Sequence, residues 1–153
     1  LDVGCGLGSL AIACARAGHR VVATDVSRVA LELARERGGA LPIVWLQDDV
    51  TDSHLHSAFD VAVDRGCLHL LGPQSAVRWA AAMARSVRPG GALVLKTCDE
   101  ASAAERHTVA YDAAGLAGLL GDAFVIESER ASTLPGPDGG AGARLFVLRR
   151  SAR

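Results

Sequence analysis

The chain has 153 residues, a length that predicts one domain with a single hydrophobic core. Half of the residues are hydrophobic and the formal net charge is −1, with 16 lysines and arginines scattered along the sequence. No apolar run is long enough to span a membrane and no basic block is present, so we predict neither a membrane nor a nucleic acid as a partner.

Short apolar runs alternate with stretches of helical periodicity along the whole chain. In chain order we predict a strand at 1–5, a helix at 9–18, a strand at 19–27, a helix at 28–39, strands at 41–50 and 59–66, a helix at 73–87, a strand at 92–100, a helix at 111–121, and strands at 124–130 and 143–150. Gly18 is a natural end for the first helix, and Ser27 can cap the second. Gly115 and Gly118 weaken the last helix, since each glycine costs about 1 kcal/mol relative to alanine.

This alternation predicts an α/β fold with a doubly wound, mostly parallel sheet that helices cover on both faces. The strands read as nearly continuous apolar runs, as a sheet buried on both sides requires. The last two strands are separated only by residues 134–143, which are rich in glycine and proline and predict a turn or flexible loop. These two strands should therefore form an antiparallel hairpin at one edge of the sheet.

Gly4, Gly6 and Gly8 lie in the first strand–helix turn, which is where sheets of this kind bind ligands. Glycine permits unusual dihedral angles and lets a ligand approach the backbone. The spacing differs from the dinucleotide fingerprint G-x-G-x-x-G, because Ser9 takes the place of the third glycine. Asp25 ends the second strand, where an acid can accept hydrogen bonds from ribose hydroxyls. The loop predicts a ribose-bearing ligand; tight helix–sheet packing is the alternative, above all for Gly8.

The four cysteines form no C-x-x-C pair and are too sparse for a disulfide scaffold. They are Cys5, Cys14, Cys67 and Cys98. We interpret them as free thiols in a reducing compartment and expect a cytoplasmic location. His54-x-His56 and Cys67-x-His69 do not have the ligand spacing of a structural zinc site, so no metal is predicted.

Segments along the whole chain resemble, in the correct order, the motifs of class I S-adenosylmethionine-dependent methyltransferases. The segments are "LDVGCGLG", "VVATDVS", "VWLQDDVTD", "FDVAVDRGCLHLL" and "VRPGGALVL". The resemblance implies a Rossmann-like sheet of seven strands, of which the last is antiparallel. It also implies S-adenosylmethionine as the cofactor.

The resemblance assigns a cofactor site residue by residue. The implied cofactor-binding residues are Asp2, Gly4, Gly6, Gly8, Asp25, Val26, Asp49, Val50 and Asp64. In the family, the acid after the third strand holds the adenine amino group. That acid is Asp49 here, with Val50 against the ring and Asp48 as the neighbouring competitor. Family members normally carry some tens of residues before the first strand, including a helix that covers the ligand. We therefore expect residues 1–153 to be one cofactor-binding domain that lacks its N-terminal segment.

The fourth-strand motif bears on the methyl acceptor. Residues 64–67, Asp-Arg-Gly-Cys, lack the Asn/Asp-Pro-Pro-aromatic motif of family members that methylate base amines, and the Pro-Cys nucleophile of cytosine-C5 enzymes is absent too. The "DRG" sequence in a short chain looks most like the thiopurine-methyltransferase-like branch. That branch implies a small-molecule acceptor such as a thiol, a thiopurine or another soft nucleophile. The implied reaction is an in-line displacement, in which positioning is the protein's main task.

Asp64, Arg65 and His69 are the candidate catalytic residues. Arg65 can orient an anionic acceptor through its fork of donors, and His69 can take a proton near neutral pH. Structural roles compete with these: a turn cap for Asp64, an ion pair for Arg65, and a place in a helix or loop for His69. Residues 98–112 should line the acceptor pocket, with an ordinary solvated loop as the default interpretation. Further candidates in that stretch are Asp99, Glu100, His107 and Tyr111.

Three other functions compete with methyl transfer. An NAD-dependent oxidoreductase would place a pyrophosphate on the glycine loop, and Ser9 speaks against it. An aminopropyl transferase would need an acidic polyamine pocket, which the sequence does not plainly show. A non-catalytic nucleoside-binding domain is the third alternative, and the intact acids and glycines of the loop argue against it. The sequence identifies neither the acceptor nor the oligomeric state.

Overall fold

A computed structural model describes residues 1–56, 58–135 and 140–152 of the chain. The strands are β1 (Asp2–Val3), β2 (Val21–Asp25), β3 (Ile43–Gln47), β4 (Phe59–Arg65), β5 (Val87–Cys98), β6 (Phe124–Leu134) and β7 (Ala141–Arg150). The helices are α1 (Ser9–Arg16), α2 (Arg28–Gly38), α3 (Pro73–Ser86), α4 (Glu100–Arg106) and α5 (Ala113–Leu120). Short 3₁₀ turns cover Leu68–Leu70 and Gly121–Ala123.

The seven strands form one sheet in the order β3-β2-β1-β4-β5-β7-β6. Neighbouring strands are parallel except at β7, which runs antiparallel to both β5 and β6. The α/β class, the seven strands and the antiparallel hairpin at one edge are therefore confirmed. Because the strand order reverses at β1, the carboxyl ends of β1, β2 and β4 open a crevice, and the glycine loop follows β1 into it.

Local signals explain most of the element boundaries. The Ser27 hydroxyl accepts a hydrogen bond from the Ala30 N–H at 3.2 Å and caps α2, as predicted. Asp112 caps α5 in the same way, through the Gly115 N–H at 2.7 Å. Pro73 begins α3, where its missing N–H costs nothing.

Three predicted boundaries are wrong. Residues 100–106 form α4 instead of a solvated loop, because Asp99 caps the helix through the Ser102 N–H at 2.9 Å. β5 begins at Val87 instead of residue 92, and Val87 pairs with Phe59 of β4. The hairpin strands extend into the predicted loop at 134–143, since Leu134 pairs with Ala141. Residues 136–139 of that loop lie outside the described residues.

The core is divided between the two faces of the sheet. The larger cluster packs α3 and α5 against the sheet, and includes Trp79, Met83, Leu93, Leu95 and Phe146. On the other face, α1 and α2 pack through small residues such as Ala11, Ala15 and Ala23. These small side chains bring α1 close to the sheet, which fixes the position of the glycine loop that precedes it. No described helix has the length and apolar character needed to cross a membrane.

Candidate functional site

The glycine loop between β1 and α1 has a left-handed backbone at all three glycines. The φ angles are 62° at Gly4, 53° at Gly6 and 73° at Gly8. Only glycine adopts this region without a steric penalty from a Cβ atom. The loop is tied to the neighbouring strand, because the Cys5 N–H donates to the Thr24 carbonyl oxygen at 2.8 Å.

The three glycines face different surroundings. A Cβ atom on Gly4 would lie 3.0 Å from the Cβ of Cys67, and one on Gly8 would lie 2.5 Å from the ring of Trp45. A Cβ on Gly6 would meet no described atom within 4 Å. Gly8 is also buried, which favours the packing alternative, and its cofactor contact stays a prediction. The loop is open at Gly6, and that is where its backbone can receive a ligand.

Asp25 brings a carboxylate directly to this opening. Its Oδ2 accepts a hydrogen bond from the Gly6 N–H at 2.8 Å, and its Oδ1 accepts one from the Ser27 N–H at 2.9 Å. A carboxylate oxygen can accept more than one hydrogen bond, so each oxygen keeps capacity for a ligand hydroxyl. The Asp25 side chain is therefore fixed in place and can still accept hydrogen bonds from a ligand.

Asp2 lies on the inner side of the loop. It is only 5% exposed, and its Oδ2 accepts a hydrogen bond from the Ala11 N–H at 3.0 Å, in the first turn of α1. Burial raises the pKa of Asp2 to about 6, against the lowering effects of that N–H and of the Arg65 charge. This geometry lets Asp2 fix α1 and the glycine loop, and the direct cofactor contact that the resemblance implies stays a prediction.

The predicted adenine side of the site lies at the ends of β2 and β3. Asp49 is exposed, and its Oδ1 accepts hydrogen bonds from the Thr51 N–H and hydroxyl, both at 2.8 Å. These bonds lower the pKa of Asp49 and keep it ionised. Val26 is 65% exposed beside Asp25, whereas Val50 is half-buried against the main core. A carboxylate and an exposed valine are thus available for a planar ring.

The neighbouring Asp48 serves to connect two strands. Its N–H donates to the Asp25 carbonyl oxygen at 3.1 Å, which ties the end of β3 to the end of β2. The side-chain amide of Gln47 adds a second link, to the Val26 carbonyl oxygen at 3.1 Å. The acids that follow β2 and β3 are consequently held at one edge of the sheet.

Asp64 lies at the end of β4, and its cofactor-binding and catalytic roles stay predictions. Its carboxylate is fully buried and accepts three backbone hydrogen bonds, from Gly66 at 3.0 Å, Cys67 at 2.7 Å and Leu68 at 3.1 Å. Burial raises its pKa to about 6 although these N–H groups oppose the change. Asp64 caps the turn after β4, which was the competing structural interpretation. It acts on the site by holding Cys67 against Gly4.

The other two candidate catalytic residues differ in exposure. Arg65 is exposed at the end of β4 and forms no ion pair with any described residue, so its guanidinium is free. His69 is 7% exposed in the 3₁₀ turn, and its Nδ1 is buried without a described hydrogen-bond partner. Burial lowers the pKa of His69, and the charge of Arg106 lowers it further. The imidazole is therefore neutral at pH 7.

Cys67 packs against the glycine loop beside Gly4. Burial raises the pKa of its thiol to about 12, so the sulfur is protonated and is a poor nucleophile at neutral pH. Within the described ranges, no group of three or more His, Cys, Asp or Glu side chains is arranged to hold a metal ion.

The sequence analysis did not single out Thr97 and Thr108, two threonines whose hydroxyls are buried. The hydroxyls of Thr97 and Thr108 are buried and, like Nδ1 of His69, have no partner among the described residues. The only available clue is positional, since Thr97 lies near the end of β5 on the face that carries Leu93 and Leu95. A buried, unpaired hydroxyl in this otherwise apolar row lowers the stability of the folded state, and packing alone does not explain its presence.

A cavity of about 640 Å³ lies away from the glycine loop, between α4 and the β6–β7 hairpin. Its charged lining residues are Asp99, Glu100, Glu129, Arg130 and Arg144. Arg144 pairs with both Glu100 and Glu129, so these groups largely satisfy one another. The Asp99 side chain caps α4, and the exposed His107 ends that helix with a left-handed backbone. Tyr111 is half-buried and packs against the main core.

The first 91 residues match a family model described as a methyltransferase domain. Over 103 residues the chain is 35% identical to the cypemycin N-terminal methyltransferase of Streptomyces sp., a match that covers 66% of this chain and 42% of that protein. It is 31% identical over 115 residues to the mitochondrial ubiquinone biosynthesis O-methyltransferase of Schizosaccharomyces pombe, covering 71% of this chain and 41% of that protein. The chain thus spans about two fifths of the length of these curated relatives.

Solved structures show the same fold. The N-methyltransferase NodS of Bradyrhizobium japonicum WM9, in complex with S-adenosyl-L-homocysteine, superimposes with a TM-score of 0.80 over 97% of this chain and 76% of that chain. The sequence identity is 21%, so this likeness establishes the architecture of the sheet and its helices.

Proposed function

Because the chain belongs to the methyltransferase-domain family, whose model matches residues 1–91, we propose that it transfers a methyl group from S-adenosylmethionine to a small-molecule acceptor. One observation carries this proposal: the Asp25 carboxylate is bound to the Gly6 N–H beside a loop that is open at Gly6. This pair presents an acid for vicinal hydroxyls and a bare backbone for the rest of a nucleoside.

The residues present fit such a cofactor. The two carboxylate oxygens of Asp25 have room for the ribose hydroxyls, and Gly6 leaves space where any other residue would place a side chain. Asp49 would accept a hydrogen bond from the adenine amino group and the exposed Val26 would lie against the ring. The methionine portion would lie beside Gly4, where Cys67 closes the other side of the loop.

The bound cofactor supplies a methyl group on a sulfonium sulfur, which is already strongly electrophilic. The work left to the chain is to hold the acceptor in line with that methyl group, since orientation alone can supply up to about 7–11 kcal/mol of a reaction barrier. Asp2 and Asp64 contribute by fixing the loop and the turn after β4. Arg65 is free to orient a charged part of the acceptor, and neutral His69 is able to accept a proton.

A small molecule is the class of methyl acceptor that we propose, and the relatives do not identify a particular compound. The names of the relatives specify different methylated positions, an N-terminus in one and an oxygen in another. These names therefore identify no particular acceptor for this chain. The "DRG" sequence at residues 64–66 favours a soft nucleophile such as a thiol or thiopurine. We place the activity in the cytoplasm because all four cysteines are free thiols.

The proposal is tested by ligand-induced stabilisation. We expect S-adenosylhomocysteine at 100 times its dissociation constant to raise the free energy of unfolding by about 2.7 kcal/mol, seen as a higher Tm. The Asp25→Ala variant should lose this rise, because it removes both ribose acceptors. Asp122→Ala, an exposed aspartate on the Gly121–Ala123 turn, is the matched control and should retain it. A rise with NADH and none with S-adenosylhomocysteine would instead favour an oxidoreductase.

A further inference from the structure

The two edge strands of the sheet, β3 and β6, are protected from other chains to different degrees. β6 carries the exposed charges of Glu127, Glu129 and Arg130, and its pairing with β7 shifts in register after Ile126. Charges and bulges of this kind keep an edge strand from pairing with another chain. β3 has the sequence Ile-Val-Trp-Leu-Gln, with no charged residue, no proline and an unbroken register with β2. β3 is therefore the edge that is open to pairing.

The backbone of β3 directs alternate residues away from the sheet. The Asp48 N–H donates to the Asp25 carbonyl oxygen of β2 at 3.1 Å, which shows that the even-numbered residues of β3 point toward β2. Because the direction of the N–H and C=O groups alternates along a strand, those of Trp45 and Gln47 point outward, as does the carbonyl of Ile43. No described strand pairs with this outer side of β3.

One face of β3 is also left uncovered. Val44 is 58% exposed and Leu46 is 37% exposed. They lie on the face opposite to Trp45, which packs with the small residues of α1 and α2. The connection from β3 to β4 has no described helix that could cover this opposite face. Outward backbone groups and exposed apolar side chains thus lie together on a single strand.

The same strand of a second copy fits this edge. In an antiparallel pair with a two-fold axis at Trp45, the outward N–H and C=O of Trp45 bond to those of the partner's Trp45. The Gln47 N–H then meets the partner's Ile43 carbonyl, so that all five residues of β3 are overlapped. This register also places Val44 opposite the partner's Leu46, on the uncovered face of both copies.

The charges at this edge are compatible with two-fold pairing. A two-fold axis brings the same surface of both copies together, and like charges directly opposite one another on paired strands are destabilising. β3 avoids this repulsion because it has no charged residue. The first acid after the strand, Asp48, would lie opposite the partner's Pro42, which is uncharged. The missing N–H of Pro42 is no obstacle, since even-numbered residues point toward β2.

We propose that the chain forms a two-fold dimer in which β3 pairs antiparallel with β3 of a second copy and joins the two seven-stranded sheets into one. The groups that carry this proposal are the outward backbone of β3 and the side chains of Val44 and Leu46, so it does not depend on the proposed methyltransferase function. Asp49 follows β3 closely, so the adenine side of each proposed cofactor site adjoins the interface.

Sedimentation equilibrium over a range of protein concentrations tests the dimer. We expect a species with twice the mass of one chain, which dissociates on dilution. The Val44→Lys variant should raise the dissociation constant of the dimer about tenfold, because it places an ammonium group opposite the partner's Leu46 twice in each dimer. Val44 is exposed in the single chain, so the substitution leaves the fold intact.

A double variant tests the register. Leu46→Glu alone should weaken the dimer as Val44→Lys does. The two substitutions together should restore it, because the new ammonium group at position 44 faces the new carboxylate at position 46 of the partner. The matched control is Val125→Lys, which changes a similarly exposed valine on the opposite edge strand and should leave the dimer unaltered.

Four results would overturn the proposal. They are a wild type that is monomeric at every concentration, a Val44→Lys variant that dimerises as tightly as the wild type, a double variant that stays as weak as the single variants, and loss of the dimer in Val125→Lys. Restoration of the dimer in the double variant alone among the charged variants of β3 would identify the antiparallel pairing of this strand.

Discussion

Asp2 begins β1 and Asp25 ends β2, and the two carboxylates act on the same glycine loop in different ways. Asp25 is partly exposed and presents its carboxylate at the opening, whereas Asp2 is buried and binds the first turn of α1. The sequence places an acid in each of these strands, but the exposure of each depends on how α1 packs. The same holds for Gly8, whose packing role depends on the ring of Trp45, a contact between segments that no local pattern specifies.

Burial of Asp2 makes the stability of the protein depend on pH. Its pKa is about 6 in the folded state, above the ordinary value of 3.8, so between these values the folded state binds more protons than the unfolded state. Its contribution to stability is therefore present at low pH and is lost as the pH rises through 6. Relative to Asp2→Asn, the wild type should gain about 1 kcal/mol in the free energy of unfolding between pH 7 and pH 5.

Urea unfolding of both proteins at the two pH values measures this difference. The comparison with Asp2→Asn cancels the other titrating groups, among them His69, whose lowered pKa acts in the opposite direction. If the difference in the free energy of unfolding between the wild type and Asp2→Asn is the same at pH 7 and pH 5, the pKa of Asp2 is not raised.

At the scale of elements, the turn after β4 is organised by one carboxylate. Asp64 accepts the N–H groups of Gly66, Cys67 and Leu68, and Cys67 in turn packs against the glycine loop. The sequence suggested two roles for Asp64, a site residue and a turn cap, and the structure shows the cap. The full burial of this carboxylate could not be predicted from the local pattern.

Replacing Asp64 by asparagine should destabilise the fold. The amide keeps one acceptor oxygen and places an NH₂ group where the second oxygen accepted an N–H, so at least one buried donor is left unpaired. We expect a loss of about 1–3 kcal/mol in the free energy of unfolding at pH 7.5. The Asp60→Asn variant, on the same strand, alters an exposed ion pair with Arg88 and should change the free energy of unfolding far less than Asp64→Asn does. A loss for Asp64→Asn as small as that for Asp60→Asn would refute the capping role.

The boundaries of α4 and β5 show what local patterns miss. Helix α4 covers seven residues and has no long apolar stripe, so its only signal is the cap at Asp99. β5 passes through "RPGG", which reads as a turn, because Val87 pairs with Phe59 before the register shifts at a bulge. Helices α1, α2 and α3 were predictable because each has apolar residues at helical spacing and a clear start or stop.

For the whole molecule, the alternation of elements was sufficient to predict the α/β class and the edge hairpin. It could not give the strand order, in which β1 lies between β2 and β4 and so creates the crevice. Order and register depend on contacts between residues far apart in the chain. The glycine loop and the acids after β2 and β3 come together only through that order, and it is this convergence that supports cofactor binding.

A crystal structure of this chain with S-adenosylhomocysteine tests the central claim most directly. We predict that both ribose hydroxyls lie within about 3 Å of the Asp25 carboxylate, in the range of strong hydrogen bonds. The adenine amino group should lie beside Asp49, and the sulfur should lie near Gly4. A nucleoside bound elsewhere, or bound with its ribose away from Asp25, would contradict the account.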